Sequence, residues 1–349
     1  MIRRLLFLPL LLLALAVAAP APAAVHGKKA HAGVHAKKAK PKPKLKAKRK
    51  PNPNTGIVEI YTTLGYQSGQ AAGTGMILDA DGDVLTNNHV IKGATVFKIV
   101  VGTTKRTFTA TVAGYSVSED VALLKIDNPV GLAPVLRGNS SKVRVGMEVV
   151  ARGNAGGRGC CTVARGTVTG LHREITASDE QGGSELLSNL IETDAGIEAG
   201  DSGGPLFNAI GRVIGMVTAG SSSRFGRVAT RGYAIPINKA MGIVREIQAG
   251  ATTTLVHVGP TAFLGVGIQD APRGGVYVGS LVPGGAAEQA GLAAGVTITS
   301  LAGTAVGSSD ELQDVVLQLT PGEPVAIEWL DAAGAAQSGT ITPASGPPQ

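Results

Sequence analysis

Residues 200–205 read Gly200-Asp201-Ser202-Gly203-Gly204-Pro205 and enclose one serine among small residues. A serine hydroxyl is a weak nucleophile until a base takes its proton and backbone N–H groups hold the oxyanion that forms on the substrate. Glycines let the backbone come close enough to do so. A glycine-rich turn with a serine is often only a turn, so this stretch directs the search to a histidine and an acid.

The histidines leave few candidates for the base. Three of the six lie in a lysine-rich segment near the start of the sequence. His89 follows two apolar stretches, Met76-Ile77-Leu78 and Val84-Leu85, that flank an Asp-Gly turn. This pattern predicts a β-hairpin that brings the imidazole to the end of a strand. His172 and His257 lack such a setting and are interpreted as surface or capping residues.

The orienting acid is expected between base and serine, because one known chain order of a catalytic triad is His, Asp, Ser. Asp120 lies 31 residues after His89 and 82 before Ser202, directly ahead of the apolar run Val121-Ala122-Leu123-Leu124-Lys125-Ile126. A carboxylate buried at the edge of such a strand would accept the Nδ1 proton of the histidine and fix its tautomer. Strand alternation points the neighbouring Glu119 the other way.

These segments resemble the HtrA/Deg family of exported serine proteases, in which a trypsin-like domain is followed by a PDZ domain. The resemblance extends from about residue 57 to residue 342. Besides the segments around His89 and Asp120, it includes Thr193-Asp194-Ala195-Gly196-Ile197 ahead of the serine and Gly232-Tyr233-Ala234-Ile235-Pro236-Ile237-Asn238 as a closing strand.

The resemblance implies a mainly β fold with two domains. A chymotrypsin-like double β-barrel protease domain is expected over residues 55–250, and one α+β PDZ domain over residues 258–345. His89, Asp120 and Ser202 would form the triad, and the N–H groups of Gly200 and Ser202 the oxyanion hole. Family members form trimers, to which Tyr61 and Tyr66 are candidate contributors.

Asp201 departs from the family, whose members usually carry asparagine at this position. An unpaired buried carboxylate is costly, so Asp201 needs a cation or a hydrogen-bond donor. Arg152 and Arg158 are the two candidates, and the sequence does not choose between them.

The primary substrate pocket is expected to accept small or medium aliphatic side chains. A trypsin-like preference for Lys or Arg needs an acid six positions before the serine, and that position is Gly196. The resemblance implies that the pocket involves Ile197, Thr218, Ala219 and Gly220.

The PDZ domain is indicated by two further segments. Phe263-Leu264-Gly265-Val266 resembles the carboxylate-binding loop of PDZ domains, and residues 283–292 resemble their helix-and-turn segment. Ser308 and Glu311 have capping-box spacing before a stretch of helical periodicity. This helix would form one wall of a groove in which a peptide C-terminus adds to a strand edge. A small appendage without a binding function is the alternative.

The start of the sequence has the features of a targeting segment. Residues 1–24 combine Arg3 and Arg4, an apolar run and a small-residue cleavage site, which predicts an export signal peptide. Residues 25–54 are a linker rich in lysine and proline, predicted to be disordered. The formal net charge of +7 divides into +2 for the signal, +11 for the linker, and 19 basic against 25 acidic groups, or −6, from residue 51 onward.

The charge of the linker leaves two interpretations open. It is either a solvated tether or a segment that holds the protein on an anionic polymer or lipid of the cell envelope. Nucleic acid is disfavoured because no aromatic residues are interleaved for base stacking.

The two cysteines, Cys160 and Cys161, are adjacent. An ordinary structural disulfide is not expected between neighbours, which leaves reduced thiols, a redox-sensitive vicinal bridge or an intermolecular bond. No metal site and no cofactor are predicted.

The sequence therefore predicts an exported ATP-independent serine endopeptidase that hydrolyses unfolded polypeptides and binds peptide C-termini through its PDZ domain. A periplasmic, cell-wall-associated or secreted location follows from the signal peptide. The alternatives are a catalytically silent peptide-binding protein or holding chaperone, and a wall-binding module in which the linker matters most.

Overall fold

The computed structural model describes residues 52–66, 69–178, 184–220 and 231–349. The predicted signal peptide and residues 25–51 of the predicted linker lie outside the described residues.

Six antiparallel strands form the first barrel. In the sheet their order is β5, β4, β1, β2, β3, β6, and an additional pairing of β5 with β6 closes the ring. A four-residue helix, α1, follows β3. The elements are β1 (Ile57–Leu64), β2 (Gly69–Ile77), β3 (Asp83–Thr86), α1 (Asn88–Ile91), β4 (Val96–Val101), β5 (Thr107–Ser116) and β6 (Val121–Ile126).

The hairpin predicted ahead of His89 is present. β2 pairs with β3, with Met76 opposite Leu85 and Ile77 opposite Val84. Gly82 in the connecting turn has a φ of +93°, which glycine adopts without steric cost. His89 itself lies on α1 and not at the end of the strand, because the chain turns into this helix directly after β3.

Six more strands close the second barrel in the order β10, β11, β12, β9, β8, β7. Helix α2 follows, and its buried residues recur with helical spacing, so that one apolar face packs between the barrels. The elements are β7 (Glu148–Gly153), β8 (Thr162–Ser178), β9 (Ser184–Thr193), β10 (Pro205–Asn208), β11 (Val213–Gly220), β12 (Gly232–Pro236) and α2 (Ile237–Gln248).

After α2, a short strand, β13, pairs with β5 of the first barrel, and the residues from β14 onward form the α+β PDZ unit. One two-stranded sheet pairs β14 with β21, and a second sheet has the order β15, β16, β17, β19, β20. The elements are β13 (His257–Val258), β14 (Thr261–Phe263), β15 (Val266–Asp270), β16 (Val276–Leu281), α3 (Ala286–Gln289), β17 (Thr297–Leu301), β18 (Thr304–Ala305), α4 (Ser309–Leu317), β19 (Val325–Leu330), β20 (Ala336–Ile341) and β21 (Ala344–Gly346).

The capping box predicted for the PDZ helix has one of its two expected contacts. The hydroxyl of Ser308 accepts a hydrogen bond from the N–H of Glu311 (3.2 Å). The Glu311 carboxylate reaches the N–H of Gly307 (2.7 Å), one residue before the N-cap. Both contacts satisfy backbone donors at the start of α4.

Candidate active site

The imidazole of His89 faces the carboxylate of Asp120. Nδ1 lies 3.0 Å from each carboxylate oxygen, and the backbone N–H of His89 donates to Oδ1 at 3.0 Å. Asp120 is buried, whereas the side chain of His89 keeps about a third of its surface exposed. A buried carboxylate at Nδ1 fixes the tautomer that carries its proton on Nδ1, which makes Nε2 the proton acceptor, and it stabilises the imidazolium.

The backbone at Asp120 has an unusual conformation that aims its carboxylate at α1. Its φ is +49°, in the left-handed region, and β6 begins at the next residue. The side-chain amide of Asn87 donates to the backbone carbonyl of Asp120 (2.9 Å). These contacts hold the start of β6 and the start of α1 together.

Thr218 joins the acid to the serine. Its hydroxyl donates to Oδ2 of Asp120, and its backbone carbonyl accepts from Oγ of Ser202 at 3.2 Å. Because Thr218 lies on β11 of the second barrel and Asp120 on the first, this contact crosses the cleft between the barrels. The structure therefore brings the three predicted triad residues to one place.

The turn around Ser202 depends on its glycines. Gly203 has a φ of +82°, and a Cβ there would lie 2.0 Å from the carbonyl oxygen of Thr74. At Gly200, with a φ of +95°, a Cβ would lie 2.3 Å from the carbonyl oxygen of Asn154. The Thr74 side chain donates to the carbonyl of Gly200 (2.7 Å), and its N–H donates to that of Ser202 (2.8 Å).

The N–H groups of Gly200 and Ser202 make no hydrogen bond with any residue in the described part of the chain. Each of these N–H groups shares its peptide plane with the carbonyl of the preceding residue. The carbonyl of Ala199 accepts from the N–H of Gly156 (2.7 Å) and that of Asp201 from the N–H of Gly204 (2.9 Å), which fixes both planes. Two fixed and uncommitted donors beside a serine hydroxyl can bind a developing oxyanion.

Asp201 is buried behind the serine turn, and neither predicted arginine contacts it. Its carboxylate accepts hydrogen bonds from the hydroxyl of Thr162 (3.1 Å) and the N–H of Glu198 (3.1 Å). Burial raises the pKa of Asp201, and these two hydrogen bonds offset only part of the effect.

Both arginines bind elsewhere. Arg152 donates to the side chain of Asn54 (2.7 Å), and Arg158 lies against Glu198 and the carbonyl of Ala155. The expectation of an arginine partner is therefore wrong, because each guanidinium is held outside the turn.

The predicted pocket residues have different surroundings. Ile197 is buried in the core of the second barrel, and a Cβ at Gly232 would lie 2.3 Å from its Cδ1. Thr218 is buried and directs its hydroxyl to Asp120, while Gly220 is exposed. Ala219 belongs to β11, but its side chain lies outside the described residues. The pocket assignment stays a prediction.

The predicted carboxylate loop connects β14 to β15. Phe263 ends β14, Leu264 is buried, Gly265 has a φ of +77° and Val266 begins β15. The N–H groups of Leu264 and Gly265 make no hydrogen bond within the described residues.

Among the described strands, β15 pairs only with β16 and so lies at the edge of its sheet, and its exposed residues include Ile268. At its far end, Asp270 accepts from the N–H of Ser309 at the start of α4 (2.7 Å). A free strand edge beside a helix, with open amides at one end, has the features of a site for an extended peptide with a carboxylate.

The remaining histidines and the cysteines are also placed. His172 is exposed, as interpreted, but His257 is buried; its Nδ1 lies 3.0 Å from the carbonyl oxygen of Leu317 at the end of α4. This contact fits a capping residue but not a surface one. Cys160 and Cys161 are bonded to each other.

Sequence reasoning missed two threonines of the site. The sequence does not indicate Thr162 as a partner of Asp201, and it indicates Thr218 only as a pocket residue. No local pattern distinguishes either threonine, because each contact joins residues that are remote in sequence.

Two family models match the chain: a trypsin-like peptidase domain over residues 73–216 and a PDZ domain over residues 262–330. Serine protease PepD of Mycobacterium tuberculosis (strain ATCC 25618 / H37Rv) is 32% identical over 303 residues, which cover 82% of this chain and 63% of PepD. Periplasmic serine endoprotease DegP of Escherichia coli (strain K12) is 35% identical over 275 residues, which cover 76% of this chain and 55% of DegP.

Among solved structures, HtrA-type protease AlgW with a tripeptide matches with a TM-score of 0.50 and 27% identity, over 85% of this chain and 95% of that one. The fold and the matches together define a trypsin-like peptidase fold followed by one PDZ domain. The relatives that match are serine proteases, and the solved structure is an HtrA-type protease. The chain spans somewhat more than half the length of the two curated relatives. None of the described helices has the length and apolar character needed to cross a membrane.

Proposed function

We propose that this chain is an exported serine endopeptidase in which His89 is the general base and acid, Asp120 the orienting carboxylate and Ser202 the nucleophile. The observation that carries the proposal is the contact of the Asp120 carboxylate with both Nδ1 and the backbone N–H of His89. The match to a trypsin-like peptidase domain and the similarity to serine proteases support the same reaction.

In this mechanism Oγ of Ser202 attacks the scissile carbonyl while Nε2 of His89 takes its proton. The imidazolium that forms is stabilised by Asp120, and the oxyanion accepts hydrogen bonds from the N–H groups of Gly200 and Ser202. His89 then gives the proton to the leaving amine. Water attacks the acyl-enzyme in the same way and frees the serine.

Alanine variants test the proposal directly. Nucleophile and base act as one unit, so Ser202→Ala, His89→Ala and the double variant should each lose on the order of a millionfold in kcat, without additivity. Digestion of casein and of small peptides by the purified chain measures this loss. If Ser202→Ala kept a tenth of the activity, the assigned nucleophile would be wrong.

The proposed substrates are unfolded polypeptides, cut after small or medium aliphatic residues. The support is the absence of an acid at Gly196, together with the apolar Ile197 next to it. Export is proposed from the signal-like segment, and the two curated relatives named above are a serine protease and a periplasmic endoprotease. A role of the linker on an anionic envelope polymer and assembly into a homotrimer are further proposals.

The PDZ unit is proposed to bind peptide C-termini by strand addition to β15, with the carboxylate on the N–H groups of Leu264 and Gly265. A silent protease that only binds peptides would show this binding with no hydrolysis. The comparison of Ser202→Ala with the unmodified chain therefore separates an enzyme from a holding chaperone.

A further inference from the structure

Residues 344–349, which we term the strap, connect the PDZ unit to the first barrel. The strap begins with β21, whose residues pair with β14. Beyond β21, Pro347 and Pro348 are buried, and Gln349 is partly buried. The chain therefore leaves the PDZ sheet and continues as packed, non-repetitive structure.

The strap contacts both ends of α1, the helix that carries His89. The side-chain amide of Asn88, the first residue of α1, donates to the main-chain oxygen of Gln349 (2.9 Å). The N–H of Gly93, just after the helix, donates to the backbone carbonyl of Pro348 (2.8 Å). Both acceptors are main-chain atoms, so they depend on the path of the strap and not on the side chain of Gln349.

Helix α1 needs such external contacts. It has only four residues, and its N-cap residue, Asn87, makes no side-chain capping bond. One turn of helix is unstable by itself, because few hydrogen bonds compensate the backbone entropy lost. The orientation of His89 therefore depends on what holds α1 from outside.

The strap is itself fixed by a buried tyrosine. The N–H of Gln349 donates to the hydroxyl of Tyr115 (3.3 Å), which also lies 3.0 Å from the hydroxyl of Thr261 on β14. Tyr115 is fully buried at the end of β5, and its ring packs against that of His257 (centroids 5.2 Å apart). The first barrel and the PDZ unit thus meet at the same hydroxyl.

We propose that the strap positions His89 for catalysis by holding α1 through the main-chain oxygens of Pro348 and Gln349. Neither residue touches the reacting atoms; both act through Asn88 and Gly93. The inference rests on the proposed function, in which His89 is the catalytic base.

The test removes these two main-chain oxygens and keeps the rest of the chain. Deletion of residues 348 and 349 should lower kcat about tenfold on a small peptide, because a small misplacement of a catalytic group slows the chemical step, while KM stays within a factor of about two. The matched control is Gln349→Ala, which changes only the side chain, keeps the main-chain oxygen and should leave kcat unchanged.

A pH profile separates a positioning role from general destabilisation. The acidic limb of kcat/KM reports the catalytic base, so displacing the imidazole of His89 from the Asp120 carboxylate should change the position of this limb in the deletion variant. If the deletion only lowered the fraction of folded protein, the apparent kcat would fall by the same factor at every pH and the acidic limb would not move.

Asn88→Ala tests the same link in the full-length chain. It should lower kcat and move the acidic limb in the same direction as the deletion does. The fold loss in kcat caused by the deletion should be smaller in the Asn88→Ala background than in the native chain. Fluorescence of Trp329 in β19 checks that the PDZ unit remains folded in each variant.

Three results would overturn the inference: an unchanged kcat and acidic limb after the deletion, an equal loss in Gln349→Ala, or full additivity with Asn88→Ala. Failure of the proposed function is recognised separately, since His89→Ala or Ser202→Ala would then remain active.

Discussion

Replacement of Asp201 by asparagine should stabilise the protein at neutral pH. The carboxylate of Asp201 is 3% exposed and accepts two hydrogen bonds, from Thr162 and Glu198, with no arginine or lysine in contact among the described residues. An asparagine keeps both contacts, because its Oδ1 can accept from the N–H of Glu198 and its Nδ2 can donate to the hydroxyl of Thr162. The variant therefore loses only the buried charge.

The magnitude follows from the raised pKa of Asp201. At a pH below 3.8, the ordinary pKa of this carboxyl, the group is protonated in both the folded and the unfolded chain. Its contribution to stability is then fully present. Between 3.8 and the raised pKa of the folded state, the unfolded chain ionises first, so the native chain loses about 1.4 kcal/mol of unfolding free energy per pH unit. Asparagine does not titrate, and the advantage of Asp201→Asn should grow at that rate and then level off.

Chemical denaturation of both chains from pH 3.5 to pH 8, followed by circular dichroism, measures this difference. Asp194→Asn is the control: Asp194 is exposed, and hydrogen bonds from Thr167 lower the pKa of its carboxyl. Its contribution to stability is present at neutral pH and is lost as the pH falls, so this variant should be the less stable one at pH 7. The reasoning would be refuted if Asp201→Asn and the native chain differed in unfolding free energy by the same amount over the whole pH range.

Gly203→Ala should lower kcat on the order of a hundredfold, because a Cβ there meets the carbonyl of Thr74 and disturbs the serine turn. The control is Gly211→Ala, which should leave kcat unchanged, because Gly211 has a similar φ but a Cβ added there has no atom within 4 Å. Peptides with Val, Ala or Leu before the scissile bond should be cut faster than those with Lys or Arg, and product mapping by mass spectrometry dominated by cuts after Lys or Arg would contradict the role given to Gly196. Hydrophobic peptides with a free C-terminal carboxylate should bind the PDZ unit more tightly than their amidated forms, and equal affinities in a calorimetric titration would exclude the carboxylate loop at Leu264.

The parts of the protein predictable from sequence are those in which neighbouring residues decide the structure. The hairpin of β2 and β3 follows from two apolar strands and an Asp-Gly turn, and the start of α4 follows from the spacing of Ser308 and Glu311. The serine turn is readable for the same reason, since glycines at positive φ are a local requirement. The short helix at His89 was missed, because four residues carry too little periodicity to indicate a helix.

The sequence by itself determined the residue types available for the chemistry: one serine in a glycine turn, one well-placed histidine and one acid ahead of an apolar strand. Only the tertiary structure decided which groups hold them. Thr218 contacts Asp120 across the two barrels, Thr162 takes the place expected of an arginine beside Asp201, and the strap reaches α1 from the far end of the chain. Each of these contacts joins residues tens to hundreds of positions apart, and a hydrogen bond at that separation leaves no periodic or local signal in the sequence.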